Sequence, residues 1–218
     1  MKKLAIYGAG GFGRETAVMI AQINAHYLSW DLIGFFDDRL QKGDEVDGLK
    51  ILGNISDLNS YADNLLICIA VADPWIRFRL IKKITNPRID FPLIVHPKAI
   101  VGDERRNTFG RGSIITAGVI LTTGIALGEF CIINLSSTVG HDVTLGSCCT
   151  VMPACSISGK VSIGGCTVLG TGSRIIQGIS IGENCMIGAG SVVTKDFGNN
   201  LKIIGVPARK RINHVEGV

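Results

Sequence analysis

The sequence predicts a small α/β unit followed by a β-solenoid, and two observations carry that assignment. The first is an apolar strand, Leu4-Ala5-Ile6-Tyr7, running into the turn Gly8-Ala9-Gly10-Gly11-Phe12-Gly13. A strand that enters a G-x-G-x-x-G turn ahead of a helical stretch opens a mononucleotide-binding unit. The second is a six-residue period: counting in sixes from Phe109 gives Ile115, Leu121, Leu127, Ile133, Val139, Leu145, Val151, Ile157, Ile163, Leu169, Ile175, Ile181, Ile187 and Val193, all apolar.

In the α/β unit, a helix is expected from about Arg14 to Asn24, with Ala17, Val18, Ile20 and Ala21 on its apolar side. A second strand, Leu32 to Phe36, ends in Asp37-Asp38, acidic groups about twenty residues beyond the glycines, where a ribose hydroxyl is held in dinucleotide folds. A third strand, Leu65 to Val71, leads through Asp73-Pro74 into a helix; Asp73 suits its N-cap and Pro74 its first turn, with Ile76, Leu80, Ile81 and Ile84 as the buried stripe. About three strands make residues 1–85 a Rossmann-like half, and Pro87, Pro92 and Pro97 punctuate a linker at 86–94.

The repeat occupies 95–218 together with its closing segment. A period of six is neither the 3.6 of a helix nor the 2 of a strand; it is one short strand and one corner per hexad. Three hexads close a triangular coil, and coils stack at roughly 4.8 Å, the spacing of paired strands. The residue after each periodic position is Gly in eight of fifteen cases (Gly110, Gly128, Gly140, Gly146, Gly164, Gly170, Gly182, Gly188) and Asn134 in a ninth, so a corner with positive φ is expected there. The fifth position, from Ser113 and Val119 to Ser191, is small or apolar and points inward. Asn107-Thr108 shift the frame ahead of Phe109, which demands a bulge or loop, and Gly205-Val206-Pro207-Ala208-Arg209 is expected to close the last coil.

A net charge of +4, with only Arg111, Lys160 and Arg174 basic between Phe109 and Val193, leaves no stripe for nucleic acid. No apolar run reaches the length of a membrane span, and the start lacks a signal-peptide core, so a cytoplasmic location is expected. Of seven cysteines, four (Cys131, Cys149, Cys155, Cys185) occupy inward fifth positions and read as small hydrophobes, with no C-x-x-C to suggest a metal.

Chemistry concentrates on one histidine. His141 follows Gly140 on the outer wall of the repeat, next to Asp142, and ionisable groups on that wall are few. An imidazole has an unperturbed pKa of about 6.5 and can take a proton from an attacking amine or hydroxyl. A neighbouring carboxylate favours its charged form, and at a corner consecutive side chains can meet.

The glycine turn, Phe36-Asp37-Asp38, Gly48-Leu49-Lys50-Ile51-Leu52-Gly53, His96-Pro97, Gly140-His141-Asp142 and Gly-Val-Pro-Ala-Arg, in that order along nearly the whole chain, resemble the bacterial sugar acyltransferases that acetylate nucleotide-linked 4-amino sugars. Sialic acid O-acetyltransferase-like proteins share the layout. The repeat is similar to the left-handed parallel β-helix of hexapeptide-repeat acyltransferases; its hand comes from the family, since crossover rules favour the opposite one.

The resemblance implies a homotrimer with active sites between neighbouring β-helices, His141 as general base and Asp142 as its partner. It implies a nucleotide sugar, in glycan biosynthesis a 4-amino-4,6-dideoxy sugar, against Gly10, Gly11, Phe12, Asp37 and Asp38. It also implies acetyl-CoA along the later coils near Thr150, Gly159, Thr171 and Ala189, with no metal and no NAD. Two positions depart from the pattern: Thr150 stands where close family members carry a second histidine, and Ala72-Asp73 where they carry Gly-Asn. O-acetylation of a free sugar such as sialic acid is the main alternative, and a non-catalytic binding protein of the same fold another. A metal-dependent hydratase would need three histidines where the stretch from Phe109 to Val193 has one, and a nicotinamide oxidoreductase a second catalytic domain.

Overall fold

The computed structural model describes residues 1–103 and 105–211. The first unit comprises β1 (Lys2–Tyr7), α1 (Gly11–His26), β2 (Trp30–Phe36), β3 (Glu45–Val46), β4 (Leu49–Gly53), α2 (Ile55–Asn59), β5 (Leu65–Ile69), α3 (Pro74–Lys83) and β6 (Ile89–Asp90). Its sheet runs β3-β4-β2-β1-β5-β6 and is parallel except for the β3–β4 hairpin. It is wider than the three strands expected: Leu49–Gly53 pairs with β2, and Ile89–Asp90, within the expected linker, pairs with β5. Leu4, Ala5, Ile6 and Tyr7 are all buried, as both faces of a covered parallel strand require.

Helix α1 is longer than expected and turned differently. Its buried face is Gly13, Thr16, Met19, Ile20 and Ile23, whereas Val18 points to solvent. In α3, Asp73 Oδ1 accepts from the N–H groups of Trp75 and Ile76 at 2.9 Å each, the expected cap. The expected stripe is displaced, however: Ile76 is exposed and Arg77 is fully buried.

Among the described residues the solenoid consists of seventeen two-residue strands, from β7 (Ile94–Val95) to β23 (Val192–Val193), three to a coil. They form three parallel sheets in which register partners lie one coil apart, Ile115 against Ile133 and Leu121 against Val139. These sheets are the first, second and third faces of a prism in chain order. Apolar residues at the first hexad position fill its interior, with Ile115, Leu121 and Ile133 at 0% exposure.

The positive-φ corner lies two residues later than the glycines suggested. It falls at the fourth hexad position, in three columns: Gly118, Ser136, Ala154, Gly172 and Gly190 on the edge between first and second faces; Gly124, Asp142, Lys160 and Gly178 on the edge between second and third; Gly112, Phe130, Cys148, Cys166 and Asn184 on the edge between third and first. From Phe130 onward each fourth-position N–H donates to the third-position carbonyl one coil below, as Asp142 N does to Thr123 O at 3.0 Å. The second-position glycines answer a different need. A β-carbon on Gly128 would stand 2.5 Å from Ser147 N and one on Gly146 2.4 Å from Gly165 N, so glycine is required for the coils to stack.

Inward fifth positions carry more than small volume. Ser113, Cys131, Ser137, Cys149, Cys155, Thr167 and Cys185 each donate to a backbone carbonyl of the solenoid, Cys131 Sγ to Gly146 O at 3.2 Å and Ser137 Oγ to Met152 O at 3.0 Å, for example. The frame shift before Phe109 is taken up by a turn in which buried Asn107 donates to Thr122 O and accepts from Ile125 N. After the last coil, β24 (Lys202–Gly205) pairs with β22 (Met186–Ile187) and folds back into β25 (Ala208–Lys210), placing Ala208 at 0% exposure over the open end. The chain beyond Arg211 lies outside the described residues.

The α/β unit packs on the first face. Ile94, Ile114 and Ile132 point outward from the solenoid yet join one core with Leu4, Ile6, Met19 and Ile20. Ile114 and Ile132, although outward-facing in the hexad pattern, are therefore covered by their own chain and are closed to contacts between copies.

Candidate active site

The ends of β1, β2 and β5 open into a cleft of about 770 Å³. It lies where strand order diverges to either side of β1, the place where open α/β sheets bind ligands. Gly8 has φ +103°, and a β-carbon on Gly13 would fall 1.8 Å from Gly8 O, so helix and turn touch only through glycine. Gly10 has free space around it and leaves α1 without a side-chain cap, so the first N–H groups of the helix remain for an anion.

Gly10, Phe12, Asp37 and Asp38 line the cleft, with Gly11 just outside it. Asp37 is committed to the turn: its two oxygens accept from Ala9 N at 2.8 Å and Arg39 N at 2.9 Å. Asp38 spends one oxygen on the Tyr7 hydroxyl, at 2.6 Å, and Ile55 N, at 3.1 Å, leaving the other for a ligand. Burial, then the hydrogen bond to Asp38, drive the Tyr7 pKa far above its ordinary value, so this phenol stays a donor. Sequence reasoning missed the cations that line the cleft, Arg39 beside Asp38 and Arg79 and Lys83 on α3. The signal was the spacing Ile76, Arg79, Leu80, Lys83 along one side of a capped helix.

Phe12 also borders a second pocket, of about 270 Å³, against the first edge of the solenoid, with Met19, Gln22, His96, Ala117, Asn134 and Leu135. His96 is locked there: Nδ1 accepts from Lys98 N at 2.9 Å, which leaves Nε2–H to donate to Gln22 Oε1 at 2.7 Å. Burial pulls its pKa down, which suits the neutral form.

His141 and Asp142 project from the edge between second and third faces, the edge opposite the face covered by the α/β unit. The left-handed backbone at Asp142, φ +58°, turns its carboxylate back onto its neighbour, and His141 Nδ1 and Asp142 Oδ2 lie 2.9 Å apart. The hydrogen bond from His141 is the largest effect holding the Asp142 carboxyl below its usual range; burial opposes it, and the charges of His141, Arg106 and Lys160 add to it. An ionised carboxylate only accepts, so the proton sits on Nδ1 and Nε2 is free to take another. The ring lies over Gly159: a β-carbon there would stand 2.4 Å from His141 Nε2. Gly159→Ala should therefore displace the imidazole and lower turnover about tenfold or more with the fold intact, checked by steady-state rates beside thermal melting.

The other residues expected near a cofactor separate. Gly159 is on the His141 edge, but Thr171 and Ala189 stack above Leu135 on the edge between first and second faces, where Gly190 N donates to Thr171 O. Thr150 is corrected: it is 1% exposed, its hydroxyl donating to Ala72 O at 2.8 Å and accepting from Arg77, so it offers nothing to a cofactor. The two departures from the family pattern are thus bonded to each other.

Residues 3–84 match the family model described as the PglD N-terminal domain, and 160–195 the hexapeptide repeat of succinyl-transferase. The chain is 31% identical over 142 residues to GDP-perosamine N-acetyltransferase of Escherichia coli O157:H7, a match spanning 65% of this chain and 63% of that protein, just under two thirds of its length. The acetyltransferase domain of PglB from Neisseria gonorrhoeae FA1090, solved with acetyl coenzyme A, is 30% identical at a TM-score of 0.87, covering 96% of this chain and 99% of that one. Perosamine N-acetyltransferase from Caulobacter crescentus, solved as a histidine variant with CoA and GDP-perosamine, is 28% identical at a TM-score of 0.86, with 98% of each chain covered.

Proposed function

Because the chain belongs to the hexapeptide-repeat acyltransferase family, we propose that it transfers acetyl from acetyl-CoA to the amine of a nucleotide-linked amino sugar, with His141 as general base. Residues 1–85 hold the nucleotide and 95–218 carry out the transfer. The observation that carries this is the His141–Asp142 pair, with Nδ1 bonded and Nε2 free over Gly159. The amine nitrogen attacks the thioester carbonyl while Nε2 takes its proton; the C–N bond forms, the C–S bond breaks and the thiolate leaves with that proton. A substrate amine and not a cysteine is the nucleophile, so no acyl-enzyme forms.

The reading includes a homotrimer. In one chain the cleft and His141 lie on opposite sides of the prism. Three copies with second faces turned inward bring the His141 edge of one beside the Asn134, Thr171 and Ala189 edge of the next. Ile100 and Ile120 stack on that second face, 59% and 38% exposed, and suit burial there. Acetyl-CoA then runs between the two edges, past Gly159, Thr171 and Ala189. Among the described residues no helix is long and apolar enough to cross a membrane; we place the enzyme in the cytoplasm, with its co-substrates.

The relatives named for GDP-perosamine make a GDP-linked 4-amino sugar the first substrate to test. A panel of nucleotide amino sugars and free sugars, followed by thiol release and product mass, decides the matter: transfer to a nucleotide-linked amine supports the assignment, and equal acetylation of a free sugar hydroxyl overturns it. Asp38→Ala should raise KM for the nucleotide sugar tenfold to a hundredfold, since a charge-assisted hydrogen bond is worth roughly 1.5 to 3 kcal/mol, and leave KM for acetyl-CoA unchanged.

A further inference from the structure

The seam between the two units holds one buried charge. Arg77, at 0% exposure, donates from Nε to Phe130 O at 2.9 Å and from Nη2 to Cys148 O at 2.7 Å, Cys149 O at 3.2 Å and Thr150 Oγ1 at 2.9 Å; Nη1 donates to Val71 O and, at 3.2 Å, to Ala72 O. Among the described ion pairs none pairs a carboxylate with it. Burying a lone guanidinium is a poor way to gain stability, and an apolar side chain of similar size often does as well. What the guanidinium adds is direction.

The apolar contact of Ile94, Ile114 and Ile132 with the sheet holds the units together but has no directional preference. Arg77 joins carbonyls of two successive coils at the Phe130–Cys148 edge to the carbonyls of Val71 and Ala72. Those residues, with Asp73 and the Ile76, Arg79, Leu80 and Lys83 side of α3, form one whole wall of the nucleotide cleft. Thr150 ties the same Ala72 carbonyl from the solenoid side at 2.8 Å.

We infer that Arg77 and Thr150 are positioning residues for the acceptor substrate: they fix the cleft wall against the solenoid so that a sugar held by one copy arrives in line with the histidine of the next. This rests on the acetyl transfer proposed above. A displacement near 1 Å at a reacting atom can cost about a hundredfold in rate, so the demand on this seam is kinetic.

Thr150→Val tests it, because valine nearly keeps the volume and leaves Arg77 Nη2 its two carbonyl partners. Turnover with the nucleotide amino sugar should fall about tenfold, while the affinity for the nucleoside diphosphate alone, measured by calorimetry with GDP, stays within about twofold of wild type. Amide exchange across residues 71–77 should quicken, with the solenoid strands unaffected. Arg77→Lys, which keeps the charge but not the fork, should do more of both. Faster exchange with unchanged turnover would make the tie merely structural and overturn the inference. So would a fall in turnover without any change in exchange, which would mean direct contact. If the wild-type protein acetylates no nucleotide amino sugar, the functional reading fails, and exchange across 71–77 still decides whether Thr150 and Arg77 fix the wall.

Discussion

His141→Ala should lower turnover by about a hundredfold or more while CoA affinity and melting temperature stay near wild type. The imidazole stands on an outer edge, with its side chain 47% exposed, and removing it opens no cavity in the prism. What is lost is the Nε2 acceptor, and positioned general bases contribute roughly 10² to 10⁴ in rate. Asp142→Asn should cost less, since Nε2 survives although the proton on Nδ1 is no longer fixed by an ionised acceptor. Initial rates by thiol release and CoA titration by calorimetry separate the effects. Wild-type turnover in the alanine variant would remove His141 from the mechanism.

Ile120→Asp should abolish turnover by a different route. Ile120 stacks on Ile100 on the second face and is already 38% exposed in a single chain, so aspartate there leaves the fold unharmed. In a trimer the same carboxylate would be buried without a partner, which costs several kcal/mol per copy and repeats at three interfaces. Sedimentation should show a folded monomer, and no single chain brings the cleft to His141. A monomer that still transfers acetyl at the wild-type rate would refute the shared site.

The hexads were legible because a prism interior imposes the same demand every six residues, and fifteen repetitions average out any local exception. What glycine meant at each position was not legible. In this chain the left-handed corner accepts Phe130, Ser136, Cys148 and Lys160 as readily as Gly112 or Gly172, whereas at Gly128 and Gly146, two positions earlier in the hexad, a β-carbon would strike the next coil. Composition cannot distinguish those two needs. The His141–Asp142 pair was visible because a corner brings sequence neighbours together. The seam was not: a buried arginine in a helix reads as a surface residue until the carbonyls that surround it, from residues 130 to 149, are brought there by the fold. Thr150 was misassigned for the same reason, its partners being Ala72 and Arg77.

Register partners in the solenoid stand eighteen residues apart, as Ile114 does from Ile132. Length in this part of the chain is therefore quantised. An insertion or deletion of eighteen residues above the coil of His141 adds or removes one storey and returns every later side chain to its own edge, whereas a change of six turns each later residue onto the next edge and a change of one reverses inside and outside. Homologues that differ in height should differ by whole storeys, with the histidine at a constant level above the α/β unit and the extra storeys on the side of the path proposed above for acetyl-CoA. The fold thus offers a graded way to lengthen that proposed path without touching the His141 edge beneath it.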